Sequence, residues 1–401
     1  EHYLNDAWKL RLASHYSQGT LDGNSSEPSR LIGDQATRFY RERRFEWNDS
    51  ITQAELHGQF ELAGWQHQTL LGLEYENYRN SQKYPQSVTG LGYGQDIYNP
   101  IYGQPKPPIV NPNDFHEHTE SYALNLQDQI SFNERWSGLL GVRLERFEQN
   151  ALNRSTRVSN EQSKDVATPR AGVLYQLTPE VGVFANASMS FKPNTIGAQG
   201  QVFKPEKGLG YETGLKLDLL DSRLGATVAL FHIDKENVLT ADPNNPGDSI
   251  AAGKARSQGL DLQVSGQLTD ALRVIGAYAY IDAEVTKDNS IPEGSDLLGI
   301  ARNSASLMGV YQFQGGSLQG SELGAAVNYV GDRSGQTGSD FELPAYTTVD
   351  LLARWQATKD LNLGLNLNNL FDRKYYERSF NNVWVMPGDP RNLSVSLTLN
   401  L

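Results

Sequence analysis

Apolar and polar residues alternate one by one along several stretches of this 401-residue chain. A leucine occupies every second position of residues 361–368, and residues 393–401 repeat the pattern. The same alternation occurs in residues 140–144, 215–219 and 260–264. A period of two is that of a β-strand with one apolar and one polar face, and no stretch of comparable length shows the 3.6-residue period of a helix. The sequence therefore predicts an all-β chain.

Short and long connections alternate between these segments. Short turns are expected at residues 64–67, 133–136, 178–180, 221–223, 269–270 and 358–360. Long polar connections are expected at residues 17–34, 82–118, 151–164, 192–208, 237–255, 286–301, 334–345 and 372–390, and only the turn near 314–320 is ambiguous. Short turns on one side and long loops on the other are typical of a transmembrane antiparallel β-barrel.

Segments of about ten residues give about 16 strands. The expected spans are 5–16, 36–62, 68–80, 119–131, 137–149, 166–177, 181–190, 209–220, 224–236, 257–268, 271–285, 302–313, 321–332, 346–357, 361–371 and 391–401. The second span could hold one strand with an extracellular extension, or a hairpin at residues 48–50.

Charged side chains indicate which face of the sheet meets lipid. The polar faces carry Arg143, Glu145, Lys216, Asp218 and Asp261. A lysine or arginine on the lipid face near the midplane costs about 2–4 kcal/mol, so we expect these faces to line the lumen. A polar lumen also accounts for a mean hydropathy of −0.52 in a membrane protein.

Aromatic residues favour the same arrangement. Three tryptophans, Trp65, Trp136 and Trp355, lie in or beside short turns. Tyrosines expected near the opposite strand ends are Tyr16, Tyr40, Tyr78, Tyr280 and Tyr329. We interpret the two groups as belts at the two membrane–water interfaces.

Composition excludes several classes of protein. A net charge of −12 argues against a nucleic-acid partner, and the absence of cysteine excludes a disulfide scaffold and thiolate chemistry. No G-x-S-x-G or H-E-x-x-H motif occurs, so we expect no catalytic residues and no enzyme. His116 and His118 could bind a metal, but no third ligand is evident nearby, so we expect no metal site.

Several runs between residues 185 and 401 resemble the TonB-dependent outer-membrane receptors. Residues 366–376 (NLNNLFDRKYY) resemble the family's N-L-F-D-K-x-Y run, and residues 387–391 resemble its G-x-P-R lead-in to the last strand. Further similar runs are residues 191–195, 205–216 and 253–261. Residues 231–240 (FHIDKENVLT) are most similar to the hydroxamate, ferrichrome-like branch.

The resemblance implies the barrel portion of a 22-strand outer-membrane receptor in a Gram-negative bacterium, with a plug and a TonB-interaction segment upstream. It implies uptake of a ferric siderophore, with iron present only inside that ligand and no cofactor. The expected partners are the TonB–ExbB–ExbD energy complex, through the N-terminal part, and outer-membrane lipid; we expect a monomer.

Two alternatives remain open. Residues 1–401 are expected to be the C-terminal portion of a longer protein, since the chain opens at Glu1 directly into a strand-like segment. They could instead close as a smaller barrel by pairing residues 5–16 with residues 391–401, because an open sheet edge is not tolerated in lipid. A passive 16-strand porin is the alternative function.

Aromatic side chains of the long loops are the candidate ligand contacts. Rigid aromatic rings offer contact area at a small entropic cost and suit an amphipathic ferric chelate. The candidates are Tyr84, Tyr93, Tyr98, Tyr102, Phe115 and Trp384. The alternative is that these rings pack the loops against one another.

Overall fold

The computed structural model describes residues 1–87, 94–111, 114–194, 201–244 and 249–399. Within these ranges the chain consists of β-strands, turns and one 3₁₀ helix, Gly316–Leu318. None of the described residues belongs to a helix long and apolar enough to cross a membrane. The predicted all-β class is confirmed.

The strands of the first half of the chain are β1 (His2–Asn5), β2 (Trp8–Ile32), β3 (Gln35–Leu62), β4 (Trp65–Lys83), β5 (Gln86–Ser87), β6 (Gly94–Asp96), β7 (Ile109–Asn111), β8 (Asp114–Ser131), β9 (Trp136–Asn153), β10 (Val158–Thr178) and β11 (Val181–Lys192). Those of the second half are β12 (Glu206–Leu219), β13 (Leu224–Ala241), β14 (Ser249–Gln267), β15 (Leu272–Lys287), β16 (Asn303–Gln312), β17 (Glu322–Val330), β18 (Arg333–Ser334), β19 (Glu342–Leu343), β20 (Tyr346–Gln356), β21 (Leu361–Asn368), β22 (Tyr376–Ser379), β23 (Val385–Pro387) and β24 (Asn392–Leu399).

The chain divides into two compact units. The first contains Glu1–Gly172, Ser188–Gly208 and Glu236–Gly253. Its long strands pair antiparallel in the order β2, β3, β4, β8 and β9. The short strands β5 and β6 pair with the upper part of β3, and β7 pairs with β5.

The second unit contains Val173–Ala187, Leu209–Lys235 and Lys254–Leu401. Its strands pair antiparallel in the order β14, β15, β16, β17, β20, β21 and β24. Two small hairpins, β18–β19 and β22–β23, lie in its loops.

Sixteen strands of eight or more residues lie in the described part of the chain, and each overlaps one predicted span. The short turns occur where they were expected, and their geometry follows from their residues. In the turn after β8, for example, Asn133 Oδ1 accepts hydrogen bonds from the backbone N–H groups of Arg135 and Trp136. The ambiguous segment at 314–320 contains the 3₁₀ helix.

Two predicted long loops are wrong. Of the loop expected at residues 151–164 only a turn at 154–157 remains, because β9 ends at Asn153 and β10 begins at Val158. Residues 17–34 are not a polar connection, because β2 and β3 stay paired from Trp8–Gly58 up to Ile32–Gln35 around a tight turn at Gly33. The alternative hairpin at residues 48–50 is absent, since β3 runs through them without interruption. Polar composition suggested a loop, whereas both strands of a hairpin outside the membrane can be polar on both faces.

The register of the first unit defines two faces of its sheet. Residues that pair directly across antiparallel strands point to the same face. Leu12, Ala54, Leu73, Leu124 and Leu144 form one row of what we call the apolar face. Leu12 and Leu73 are 67% and 60% exposed, as expected for side chains that meet lipid rather than a protein core.

Aromatic residues border the leucine rows of the apolar face. Near the short turns, Trp8 stacks on Phe60 and Phe60 stacks on His67, with ring centroids 5.7 and 5.3 Å apart. At the other border Tyr75 and Tyr122 contact each other at 5.0 Å. The two borders are eight residues apart along a strand, about 26 Å, which is close to the height of the apolar band of outer-membrane barrels.

Candidate ligand-binding wall

The opposite face of the first unit carries the charges, and we call it the polar face. Its rows run from Glu55, Asn125 and Arg143 upward, toward the end of the sheet that bears the long loops. Tyr78, predicted in the upper aromatic belt, lies on this face instead, because it pairs with Asp49 and Thr119. Tyr78 lies three positions after Tyr75, and an odd offset places it on the other side of the strand.

An ion cluster stabilises the lower part of the polar face. The guanidinium of Arg143 donates to Glu145 at 2.5 Å and to Glu74 at 2.8 Å. Gln53 donates to Glu74, and Ser121 donates to Glu145, each at 2.6 Å. The cluster therefore joins β3, β4, β8 and β9 through hydrogen bonds that satisfy each carboxylate.

Aromatic rings gather on the polar face above this cluster. Tyr84 packs edge-on against Phe45 and stacks on Phe115, with centroids 6.2 and 5.9 Å apart. Burial in this group raises the pKa of the Tyr84 hydroxyl. Trp47 lies one row below Phe45, in line with Asn80 and Glu117, and Tyr78 lies one row below Trp47. We call these five residues, Phe45, Trp47, Tyr78, Tyr84 and Phe115, the aromatic wall.

Carboxylates lie beside the aromatic wall. Glu117 shares a row with Trp47 and accepts a hydrogen bond from Gln149 at 2.6 Å. Asp49 pairs with Tyr78, and Glu76 lies one row below. The wall thus combines flat apolar surfaces with hydrogen-bond acceptors, a combination suited to an amphipathic ligand that carries its own donor groups.

The structure separates the six predicted contact residues. It brings Tyr84 and Phe115 together, whereas Tyr98 and Tyr102 lie in the loop after β6. This loop is tied to the far end of the β2–β3 hairpin by the pairing of Gln35 with Asp96. That pairing is ten residues from Phe45 along β3, about 33 Å. Tyr93 lies outside the described residues.

The loop that carries Tyr98 and Tyr102 has a defined turn. The carboxylate of Asp96 accepts hydrogen bonds from the backbone N–H groups of Tyr98 and Asn99, both at 2.9 Å. The backbone N–H groups of Asn99 and Tyr98 hold the pKa of Asp96 below its ordinary value. Tyr98 and Tyr102 are 74% and 81% exposed, so they pack little against the loop itself.

Trp384 belongs to the second unit. It lies beside the β22–β23 hairpin and packs edge-on against Phe380 at 5.9 Å. The hairpin is held by Arg333, a buried residue whose guanidinium donates to the backbone carbonyls of Tyr376 and Glu377. Trp384 therefore packs within its own hairpin, and a ligand contact by its ring stays a prediction.

His116 and His118 do not form a metal site with their neighbour. They lie on the face opposite Glu117, because consecutive strand residues alternate in direction. Asn77 donates to the Nε2 atom of His118. Among the described residues no group of three or more histidine, aspartate or glutamate side chains could hold a metal ion.

The sequence pattern missed Phe45, Trp47 and Tyr78. They lie in strands rather than loops, and strand aromatics were assigned to the membrane borders. The signal that could have found them is parity, because Phe45, Trp47 and Asp49 lie on the same side of β3 as Gln53 and Glu55.

Comparison with known proteins identifies the family. Residues 1–370 match the family described as TonB dependent receptor-like, beta-barrel, and the chain belongs to it. Its fold is therefore that of a transmembrane β-barrel of the outer membrane of Gram-negative bacteria. Members of this family are transport receptors that work without a resident cofactor, so the expectation of a protein that is not an enzyme is confirmed.

Individual relatives extend the comparison. The chain is 58% identical over 412 residues to the metal-pseudopaline receptor CntO of Pseudomonas aeruginosa (strain UCBPP-PA14), covering 100% of this chain and 58% of that receptor. It is 27% identical over 431 residues to the ferrichrome outer membrane transporter/phage receptor of Escherichia coli K12, covering 99% of this chain and 57% of that protein. The chain thus spans less than two thirds of the length of these relatives.

Solved structures share the fold. The siderophore receptor PiuA from Acinetobacter baumannii superposes with a TM-score of 0.84 at 22% identity, covering 99% of this chain and 63% of that one. The ferric-catecholate import receptor Fiu from E. coli K12, in its closed form, gives a TM-score of 0.84 at 21% identity, covering 99% of this chain and 62% of that one. At this identity the likeness concerns the fold alone.

Proposed function

We propose that this chain is the C-terminal barrel portion of a TonB-dependent receptor that captures a metal chelate outside the cell and imports it. The observation that carries the proposal is the 58% identity, across the whole chain, to the metal-pseudopaline receptor. A metal–pseudopaline complex is therefore the first candidate ligand. The barrel contributes a binding wall and performs no covalent chemistry.

A ferric hydroxamate siderophore is the second candidate. It is favoured by the resemblance of residues 231–240 and by the 27% identity to the ferrichrome and ferrioxamine B receptors, which match 94–99% of this chain. The metal in either case arrives inside the ligand. Energy for import would come from the TonB–ExbB–ExbD complex through the part of the receptor that precedes the barrel.

The aromatic wall is the proposed contact surface within the described residues of the first unit. The polar face lines the lumen in a barrel of this family, and a chelate entering from the loop side would meet the wall before it met the ion cluster around Arg143. Flat rings beside carboxylates can contact both the apolar and the polar parts of a chelate. Of the residues predicted from sequence, Tyr84 and Phe115 form part of this surface.

Titration of the full-length receptor separates the two candidate ligands. The purified protein in detergent would be titrated with zinc-loaded pseudopaline, ferrichrome and ferrioxamine B. We expect the pseudopaline complex to bind at least about 100-fold more tightly, a difference of about 2.7 kcal/mol. Tighter binding of ferrichrome would assign the chain to the hydroxamate class, and binding of no chelate would overturn the proposal.

Matched variants locate the contact surface in the same assay. The double variant Tyr84→Ala, Phe115→Ala should weaken binding at least tenfold, because truncating an aromatic contact typically costs more than 1 kcal/mol. The variant Tyr98→Ala removes a ring two residues after the Gln35–Asp96 pairing, which lies about 33 Å from Phe45 along β3, and should leave the affinity unchanged. The reverse result would place the ligand at the hairpin end.

A further inference from the structure

A glycine lies beneath the indole ring of Trp47. Gly19 on β2 pairs directly with Trp47 on β3. A Cβ atom built on Gly19 would overlap Cε2, Cζ2 and Cη2 of that ring. Gly19 does not have the positive φ that would require glycine, so the space taken by the indole is what excludes a side chain here.

This arrangement fixes the ring against the sheet. One side of the indole covers the backbone of Gly19, and 38% of the residue still faces solvent. Ring and glycine lie on the polar face, two rows above the row of Glu76 and in line with Asn80 and Glu117. A ring held this way loses little conformational freedom when a ligand covers its open side.

We propose that Gly19 is a positioning residue that seats Trp47 as a ligand-contacting ring of the aromatic wall. The ring takes a flat apolar part of the bound metal chelate, and the carboxylate of Glu117 in the same row accepts from its polar edge. This inference rests on the proposed function, since it concerns the same ligand and the same wall. It adds Gly19 to that proposal and gives Trp47 a defined position within the wall.

A second glycine–tryptophan pair provides a matched control for the pair Gly19–Trp47. Gly58 on β3 pairs with Trp8 on β2, and a Cβ built on Gly58 would fall 2.5 Å from Trp8 Cζ3 and 2.7 Å from Thr69 Oγ1. This second glycine–tryptophan pair lies on the apolar face, at the border near the short turns. Adding a methyl group at Gly58 therefore displaces an indole as Gly19→Ala does, but away from the proposed ligand.

The experiment is a double-mutant cycle on the full-length receptor, titrated with zinc-loaded pseudopaline and with ferrichrome. Trp47→Ala should lower the affinity for the bound chelate at least tenfold, as loss of a tryptophan contact does in other interfaces. Gly19→Ala should lower it by a similar factor. In the Trp47→Ala background, Gly19→Ala should have no further effect, because there is no ring left to displace. Gly58→Ala should bind as the wild type does.

The outcomes are distinguishable. Wild-type protein that binds neither chelate would overturn the proposed function itself. Binding by the wild type together with unchanged binding by Trp47→Ala would overturn only this inference. An additive effect of Gly19→Ala in the Trp47→Ala background would show that the glycine acts on the backbone and not through the ring. Should Gly19→Ala fail to assemble, Trp47→Ala and Trp47→Phe still decide whether the ring contacts the ligand.

Discussion

At the scale of single residues, one asparagine of the run NLNNLFDRKYY has a structural role that its contacts explain. Asn369 is buried with a left-handed backbone, φ 50°, which asparagine tolerates better than most residues. Its side-chain amide donates to the carbonyls of Arg373 and Asp389, both at 3.0 Å, and its carbonyl accepts from Arg373 N. Its backbone N–H donates to Asp350. Asn369 thereby closes the loop of residues 369–389 onto β20.

Asn369→Ala should destabilise the protein by about 2–4 kcal/mol, because it removes three part-buried hydrogen bonds that each contribute about 1 kcal/mol. Urea unfolding of the protein in detergent would measure this change. The control is its neighbour Asn368→Ala, which loses one exposed hydrogen bond to Asn392 and should stay within about 0.5 kcal/mol of the wild type. Equal effects of the two variants would contradict this role for Asn369.

Two glycines illustrate what could not be predicted from a single sequence. The identity of Gly19 and Gly58 is set by rings on a neighbouring strand, some 28 and 50 residues away in sequence. Such a dependence becomes visible only when the register is known. Loop aromatics were predictable as a group, but which of them meet was not, because that depends on how β5 and β6 pair with β3 and how β7 pairs with β5.

At the scale of elements, alternation predicted the strands well where one face meets lipid and poorly beyond it. The spans of β16, β17, β20 and β21 were close to those observed, whereas β2 is twice as long as expected. The upper parts of β2 and β3 lie above the row of Tyr75 and Tyr122, where neither face has to be apolar. Because neither face has to be apolar there, the sequence loses its period of two, although the backbone pairing of β2 with β3 continues.

The ion cluster on the polar face joins four of these strands and can be tested as a unit. Arg143→Met leaves Glu74 and Glu145, whose side chains are only 16% and 9% exposed, without their shared counter-charge. We expect a loss of about 3 kcal/mol in stability, since removing one partner of a buried ion pair leaves the other charge buried and unpaired. Urea unfolding in detergent is again the measurement.

Neutralising the carboxylates supplies the control for that variant. Adding Glu145→Gln and Glu74→Gln to Arg143→Met should recover most of the lost stability, because no unpaired charge then remains. If the triple variant were as unstable as Arg143→Met alone, the loss would come from packing of the arginine side chain and not from its charge.

At the scale of the whole molecule, charge and period together were enough to predict the class. Turning faces with Arg143, Asp218 and Asp261 toward lipid would cost several kcal/mol, a large share of a domain's net stability, so those faces were expected to be internal. The ligand was less predictable, because the proposed contact surface combines side chains from several strands. The relative at 58% identity changed the first candidate from a ferric hydroxamate to a metal–pseudopaline complex.

Uptake of radioactive zinc, supplied as its pseudopaline complex to cells whose only receptor for it is the full-length protein, tests the central claim most directly. The account predicts uptake that requires the receptor, falls at least tenfold with Trp47→Ala when the chelate is limiting, and stops when a protonophore removes the energy of the inner membrane. Uptake that continues unchanged after the protonophore is added would contradict the account and indicate a passive channel.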